Sequence, residues 1–152
     1  YPDALELRLN RAFHLDRSGK DEAAIRELRA ILAERPGDAH VQNALGYTLA
    51  DQDRNLAEAR QLVTAALAQS PDNAATLDSM GWVLFREGDL KGAARELRRA
   101  YGGRPDAEIG AHLGEVLWML GERDEARRIW DEALKAGPEN ETLQKTIKRL
   151  RR

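Results

Sequence analysis

At 152 residues the chain has the length of one domain, or of one stretch of a longer repeat array. Lys and Arg number 24 against 26 Asp and Glu, a net charge of −2 and a pI near 6.0, without the basic excess of a nucleic-acid binder. Hydrophobic residues make up 42% and charged residues 33%, too apolar for disorder and too charged for a membrane span, and cysteine, with its disulfides, zinc fingers and iron–sulfur clusters, is absent. The chain starts at Tyr1 and not at Met, so it reads as a processed product or an excised piece, and the lack of a targeting segment assigns no compartment.

Four of the five prolines, Pro36, Pro71, Pro105 and Pro138, lie 35, 34 and 33 residues apart. Other residues keep that period: Ala24, Ala59, Ala93 and Ala126 stand 12 positions before the prolines, and Leu28, Val63, Leu97 and Trp130 stand eight before. A small residue, Ala12, Gly46, Gly81 or Gly114, marks the first half of each unit. A period near 34 points to stacked helix pairs, because one short pair cannot bury its own apolar stripe.

In chain order, the first unit (about 5–38) carries a helix around Ala12, with Arg8 and Arg11 on it, and a second helix around Ala24 and Leu28. The second unit (39–73) has one extra residue in its inter-helix turn, around Gln52-Asp53-Arg54-Asn55. In the third unit (74–106), Leu77, Met80, Gly81 and Leu84 recur at helical spacing. Gly88-Asp89 then interrupts, and Ala93, Leu97, Ala100 and Tyr101 form the partner helix. The fourth (107–140) repeats this with Leu113, Gly114 and Leu117, then Ala126, Trp130, Ala133 and Leu134, and it begins one residue early. A last helix at about 141–151 places Leu143, Ile147 and Leu150 on one side. Residues 141–152 sum to +4, which leaves −6 for the rest; the plain reading is a solvating cap, the sharper one contact with an anionic surface. Asp38, Asp72, Asn73 and Asp106 are expected to accept from first-turn N–H groups, and the prolines to close one unit and suit the first turn of the next.

Catalysis is not expected. His14, His40 and His112 fall in three different units with no close ligand pair, Gly102-Gly103 lacks a following Lys-Ser/Thr, and Ser18, Ser70 and Ser79 have no positioned base. No metal, cofactor or catalytic residue is assigned.

This 34-residue helix pair, punctuated small, small, large, small, proline, resembles the tetratricopeptide repeat over essentially the whole chain. The resemblance implies an all-α, right-handed superhelix, an α-solenoid of four helix pairs plus a capping helix. It also makes Arg8 and Arg11 departures, since an apolar residue is usual there, and implies a less buried first helix, as if an upstream repeat of a longer array had been cut away.

In the family the first helix of each pair lines a concave groove that receives partner segments. Phe13, Tyr47, Trp82 and Glu115 each follow the small residue and are expected to face that groove, with Phe85 and Trp118 one turn beyond Trp82 and Glu115. Asn43, Asp78, Arg86 and His112 are their polar companions. The competing expectation for Trp82 and Tyr47 is packing between neighbouring first helices; Trp130 and Tyr101 are expected in the core.

The carboxylate clamp of chaperone-binding members is absent, with Leu9, Phe13, Ala44, Ala75 and Ser79 at its places, and an RNA-reading relative of the same period is disfavoured by the acidic body. The expected partner is a protein or peptide, with no nucleic acid and no direct membrane span. The alternative is a structural spacer, or a module that self-associates through its exposed end helices, within a larger envelope protein.

A narrower likeness lies in "NALGYTLAD" at 43–51, "LDSMGWVLFREG" at 77–88 and "AHLGEVLWMLGERDEAR" at 111–127. These are similar to the C-terminal repeats of proteobacterial tetratricopeptide lipoproteins, which sit at the outer membrane facing the periplasm. Some of those are adaptors for a carboxyl-terminal processing protease. The resemblance implies a periplasmic, outer-membrane-associated adaptor, attached through a missing N-terminal part.

Overall fold

The computed structural model describes residues 2–151, with side chains from residue 4 onward. Arg152, one of the basic residues of the C-terminal segment, lies outside the described residues. The described residues form nine α-helices and no strand: α1 (Pro2–Arg17), α2 (Asp21–Glu34), α3 (Ala39–Asp51), α4 (Leu56–Gln69), α5 (Ala74–Arg86), α6 (Leu90–Gly103), α7 (Ala107–Met119), α8 (Arg123–Ala136) and α9 (Glu141–Leu150). They fall into two compact units, Tyr1–Pro71 with α1–α4 and Asp72–Arg152 with α5–α9.

The first unit consists of two hairpins, α1/α2 and α3/α4, with α2 also packed on α3. Small residues let the helices of a pair approach. A Cβ placed on Gly46 would stand 2.7 Å from Val63 Cγ2. Ala12, Ala24, Leu28, Ala59 and Val63 are fully buried, so the periodic positions meet along the axis of each pair. Only Ala12 is buried among the described residues of α1, whereas α3 buries eight. Arg8 and Arg11 account for part of that difference: Arg8 reaches the Glu34 carboxylate at the surface, and Arg11 is exposed.

The second unit packs α5 on α6 and α7 on α8, with α7 also between α5 and α9. Its core joins Ala93, Leu97, Val116, Leu117, Trp130, Ala133 and Leu143, with Ile147 and Leu150 of α9 packed against it. The 10 residues of α9 therefore cover the apolar face left open by the fourth helix pair, as a terminal cap must.

Side chains cap most of these helices. Asp38, Asn73, Asp106 and Asn140 accept from first-turn N–H groups of α3, α5, α7 and α9, and Asp89 does the same for α6. Two expectations are corrected. Asp72 caps nothing; it is exposed and pairs with Arg99 at 3.4 Å, because Asn73 already occupies the N-cap position. The prolines do not enter the first turn of the next helix. They sit two or three residues before it, where Pro36 and Pro138 offer carbonyls to Gln42 and Gln144.

The turns within pairs differ in a way that matters below. Three of them have three residues and bend at Gly19, Gly88 or Gly121 with positive φ. The second has four, residues 52–55, and uses Asp53 (φ 54°) and Asn55 (φ 45°) in the left-handed region.

Candidate functional site

One residue along an α-helix is a rotation of about 100°. Gly46, Gly81 and Gly114 face the second helix of their pairs, so Tyr47, Trp82 and Glu115, one residue on, turn away from that contact. In α5 the stripe runs Asp78, Trp82, Phe85, Arg86, and in α7 it runs Glu108, His112, Glu115, Met119, both at three- and four-residue steps along one helix face.

In the second unit these stripes are bonded to each other at the repeat period. His112 Nδ1 lies 2.8 Å from Asp78 Oδ1, a pair 34 positions apart with both residues buried. Arg149 Nη2 donates to Glu115 Oε1 at 2.7 Å, and Thr142 Oγ1 donates to Glu108 Oε1 at 2.9 Å, each again across 34 positions. Asn140 Nδ2 donates to the other oxygen of Glu108 at 3.0 Å. The polar rungs thus link α5 to α7 and α7 to α9 through side chains at equivalent places in successive units. Buried carboxylates demand such partners, because a charge without one is costly away from water.

The aromatic residues lie over and beside these rungs. The Trp82 ring sits 4.2 Å from the His112 ring and 4.8 Å from Phe85, stacked on the latter. The Arg86 guanidinium lies 5.4 Å from the Trp82 ring centre and 5.9 Å from that of Phe85. Trp82 is only 5% exposed, so most of its indole packs inside the protein. Phe85 and Arg86 are half-buried and keep an open face.

Trp118 takes another direction. It packs 5.4 Å from the fully buried Trp130, beneath the guanidiniums of Arg123 at 4.6 Å and Arg127 at 5.2 Å. In α6 the residues 33 positions earlier than this arginine pair are Leu90 and Ala94, so the fourth pair covers its outer aromatic with cations where the third presents apolar groups. Tyr101, also expected in the core, is half-buried and donates from its hydroxyl to Glu132 at 3.3 Å; burial first, then the Glu132 charge, raises its pKa.

In the first unit Phe13, Asn43 and Tyr47 are half-buried on α1 and α3. Asn43 Oδ1 is enclosed without a hydrogen-bond partner among the described residues. At the end of α1, Asp16 accepts from Gln52 Nε2 at 2.7 Å; its pKa is raised, burial outweighing that hydrogen bond.

Of the ten residues singled out from the sequence, Asp78, Trp82, Phe85, Arg86, His112 and Glu115 come together in the second unit, four of them buried. Trp118 joins a different cluster. Met119, which is 54% exposed, and Arg149 belong to the same surface and were not singled out. The signal for Arg149 was available: it stands 34 residues after Glu115, as His112 stands 34 after Asp78. Among the described residues no group of three or more His, Asp or Glu side chains is placed to hold a metal ion, and no helix is long and apolar enough to cross a membrane.

Two family models, both described as tetratricopeptide repeat, match residues 2–74 and 84–150. The chain belongs to the tetratricopeptide repeat family. It is 44% identical over 150 residues to the TPR repeat-containing protein PA4667 of Pseudomonas aeruginosa, a match over 99% of this chain. The chain spans 25% of that relative's length. Among solved structures it is similar to TTC0263, a thermophilic TPR protein of Thermus thermophilus, with a TM-score of 0.74 at 21% identity over 91% of this chain and 77% of that one. It also resembles part of an O-GlcNAc transferase variant of Thermobaculum terrenum, with a TM-score of 0.66 at 26% identity over 77% of this chain and 23% of that protein. The repeat fold points to a protein–protein interaction scaffold.

Proposed function

We propose that the chain is a non-catalytic scaffold that binds polypeptide on the faces of its first-type helices, α1 and α3 in the first unit and α5 and α7 in the second. One observation carries the reading: on these helices aromatic side chains stay partly open, and in the second unit the buried carboxylates near them are already paired. Phe13, Tyr47 and Phe85 keep accessible faces; Phe85 stacks on Trp82, which packs against the His112 of the Asp78–His112 rung, and the Glu115–Arg149 rung ties α7 to α9. Rigid aromatics of this kind are favoured anchors, because they bury much area at little entropic cost.

The adaptor role and the address rest on the three segments similar to outer-membrane lipoproteins. On that reading the chain is part of a longer periplasmic protein that brings a carboxyl-terminal processing protease and its substrates together. A second reading, self-association through an end helix, has one observation in its favour: Leu7 of α1 is 66% exposed.

Capture of partners from a bacterial envelope fraction separates the two. Tyr47→Ala and Phe85→Ala are expected to lower capture about tenfold or more each, the loss of a central aromatic anchor, with melting temperature close to the parent. Unchanged capture in both variants, together with a Leu7→Glu variant that turns a dimer into a monomer in sedimentation, would reverse the preference.

A further inference from the structure

The irregular turn of the second pair opens a recess of about 270 Å³ between α2 and residues 54–55. The half-buried Ile25 lines it with apolar surface over the fully buried Leu49, and Glu22, Arg26, Arg29, Arg54 and Asn55 supply its polar walls. Arg29 is held by two hydrogen bonds to Glu58, at 2.7 and 2.9 Å, and Arg54 touches Glu22 at 3.4 Å. Arg26 is exposed and pairs with no carboxylate among the described residues. Three arginines against Glu22 and Glu58 leave the recess one positive charge in excess.

The turn that builds it departs from its equivalents. It is one residue longer, and where the other turns bend at glycine it keeps Asp53 and Asn55 in the left-handed region, which side chains other than glycine's enter at a cost in strain. That geometry brings Arg54 and Asn55 to the rim of the recess opposite Arg26. The volume lies below the roughly 300 Å³ at which small-molecule sites begin, and so suits one side chain better than a cofactor. A single excess positive charge matches a monoanion better than a phosphate dianion.

We propose that this recess anchors the side-chain carboxylate of one acidic residue presented by a protein partner, through Arg26 and Arg54, with the methylene stem on Ile25. Arg29 is not a ligand here; Glu58 fixes it as part of the wall. The site is separate from the stripe of first-type helices, so the two readings stand or fall independently.

The test is an NMR titration of the whole chain with N-acetyl-glutamate amide, following the backbone amides of Arg54 and Asn55. N-acetyl-glutamine amide and inorganic phosphate serve as comparison probes. Saturable shifts are expected with the glutamate probe and none with the glutamine probe, and Arg26→Gln should weaken the glutamate probe about tenfold, the worth of one charge-assisted bond. Arg26 is exposed, so the variant should melt with the parent. Equal response to both amino-acid probes, no saturable response to glutamate, or full binding retained in Arg26→Gln overturns the proposal. Tighter binding of phosphate than of the glutamate probe overturns it too, by assigning the recess to a phosphate group.

Discussion

Gly114 lies so close to the Trp130 indole that a Cβ added there would overlap the ring nitrogen and its neighbours. Trp130 is fully buried, and its Nε1 has no acceptor among the described residues, so the ring is placed by shape alone. Gly114→Ala is therefore expected to destabilise the chain by about 3 kcal/mol, the upper range for overpacking, and urea unfolding measures it directly. A change below about 1 kcal/mol would mean that the indole slides freely. Residue-scale reading from the sequence was uneven for a physical reason. Helical spacing states which side of a helix Trp82, Asp78 and His112 occupy, but not whether a neighbouring helix covers that side. Trp82 and Tyr47 follow the small residue of their units in the same way, yet Trp82 is buried against His112 and Phe85 while Tyr47 remains half-open.

At the scale of elements, the helices were legible because two periods agree: 3.6 residues within each helix and about 34 between equivalent helices. Where the chain departs from the period, the structure departs with it. The extra residue at 52–55 produces the four-residue turn, and the early start of the fourth unit appears as α7 beginning two residues after Pro105, against three for α3, α5 and α9 after their prolines. Capping was legible to within one residue: the choice of Asn73 over Asp72 depends on where the backbone enters the helix, which composition does not state. The Asp106 carboxylate accepts from Ile109 N at 2.8 Å, opening the most buried helix of the second unit. Asp106→Ala should cost about 1 kcal/mol. The expected signature is a lower melting temperature with native helicity by circular dichroism below the transition; an unchanged melting temperature would show that backbone and solvent satisfy the α7 start without the side chain.

For the whole molecule, near-neutral charge and the absence of cysteine set the expectation of a protein partner, and the repeat fold presents a surface made of helix faces. The basic C-terminal segment is partly paired within the chain at its surface: Arg149 bonds Glu115, and Arg151 bonds Asp131 at 3.2 Å, which favours the capping reading of α9 over contact with an anionic surface. The central claim is that a polypeptide lies on the faces of the first-type helices of each unit and not on the second-type helices. The most direct measurement places a photo-crosslinking amino acid at Tyr47 or Phe85, and in control chains at the exposed Thr64 of α4 or Arg95 of α6, then irradiates each in an envelope fraction. The account predicts polypeptide adducts from positions 47 and 85 and none above background from 64 and 95. Adducts from 64 and 95 alone, or equal adducts from all four, would contradict it.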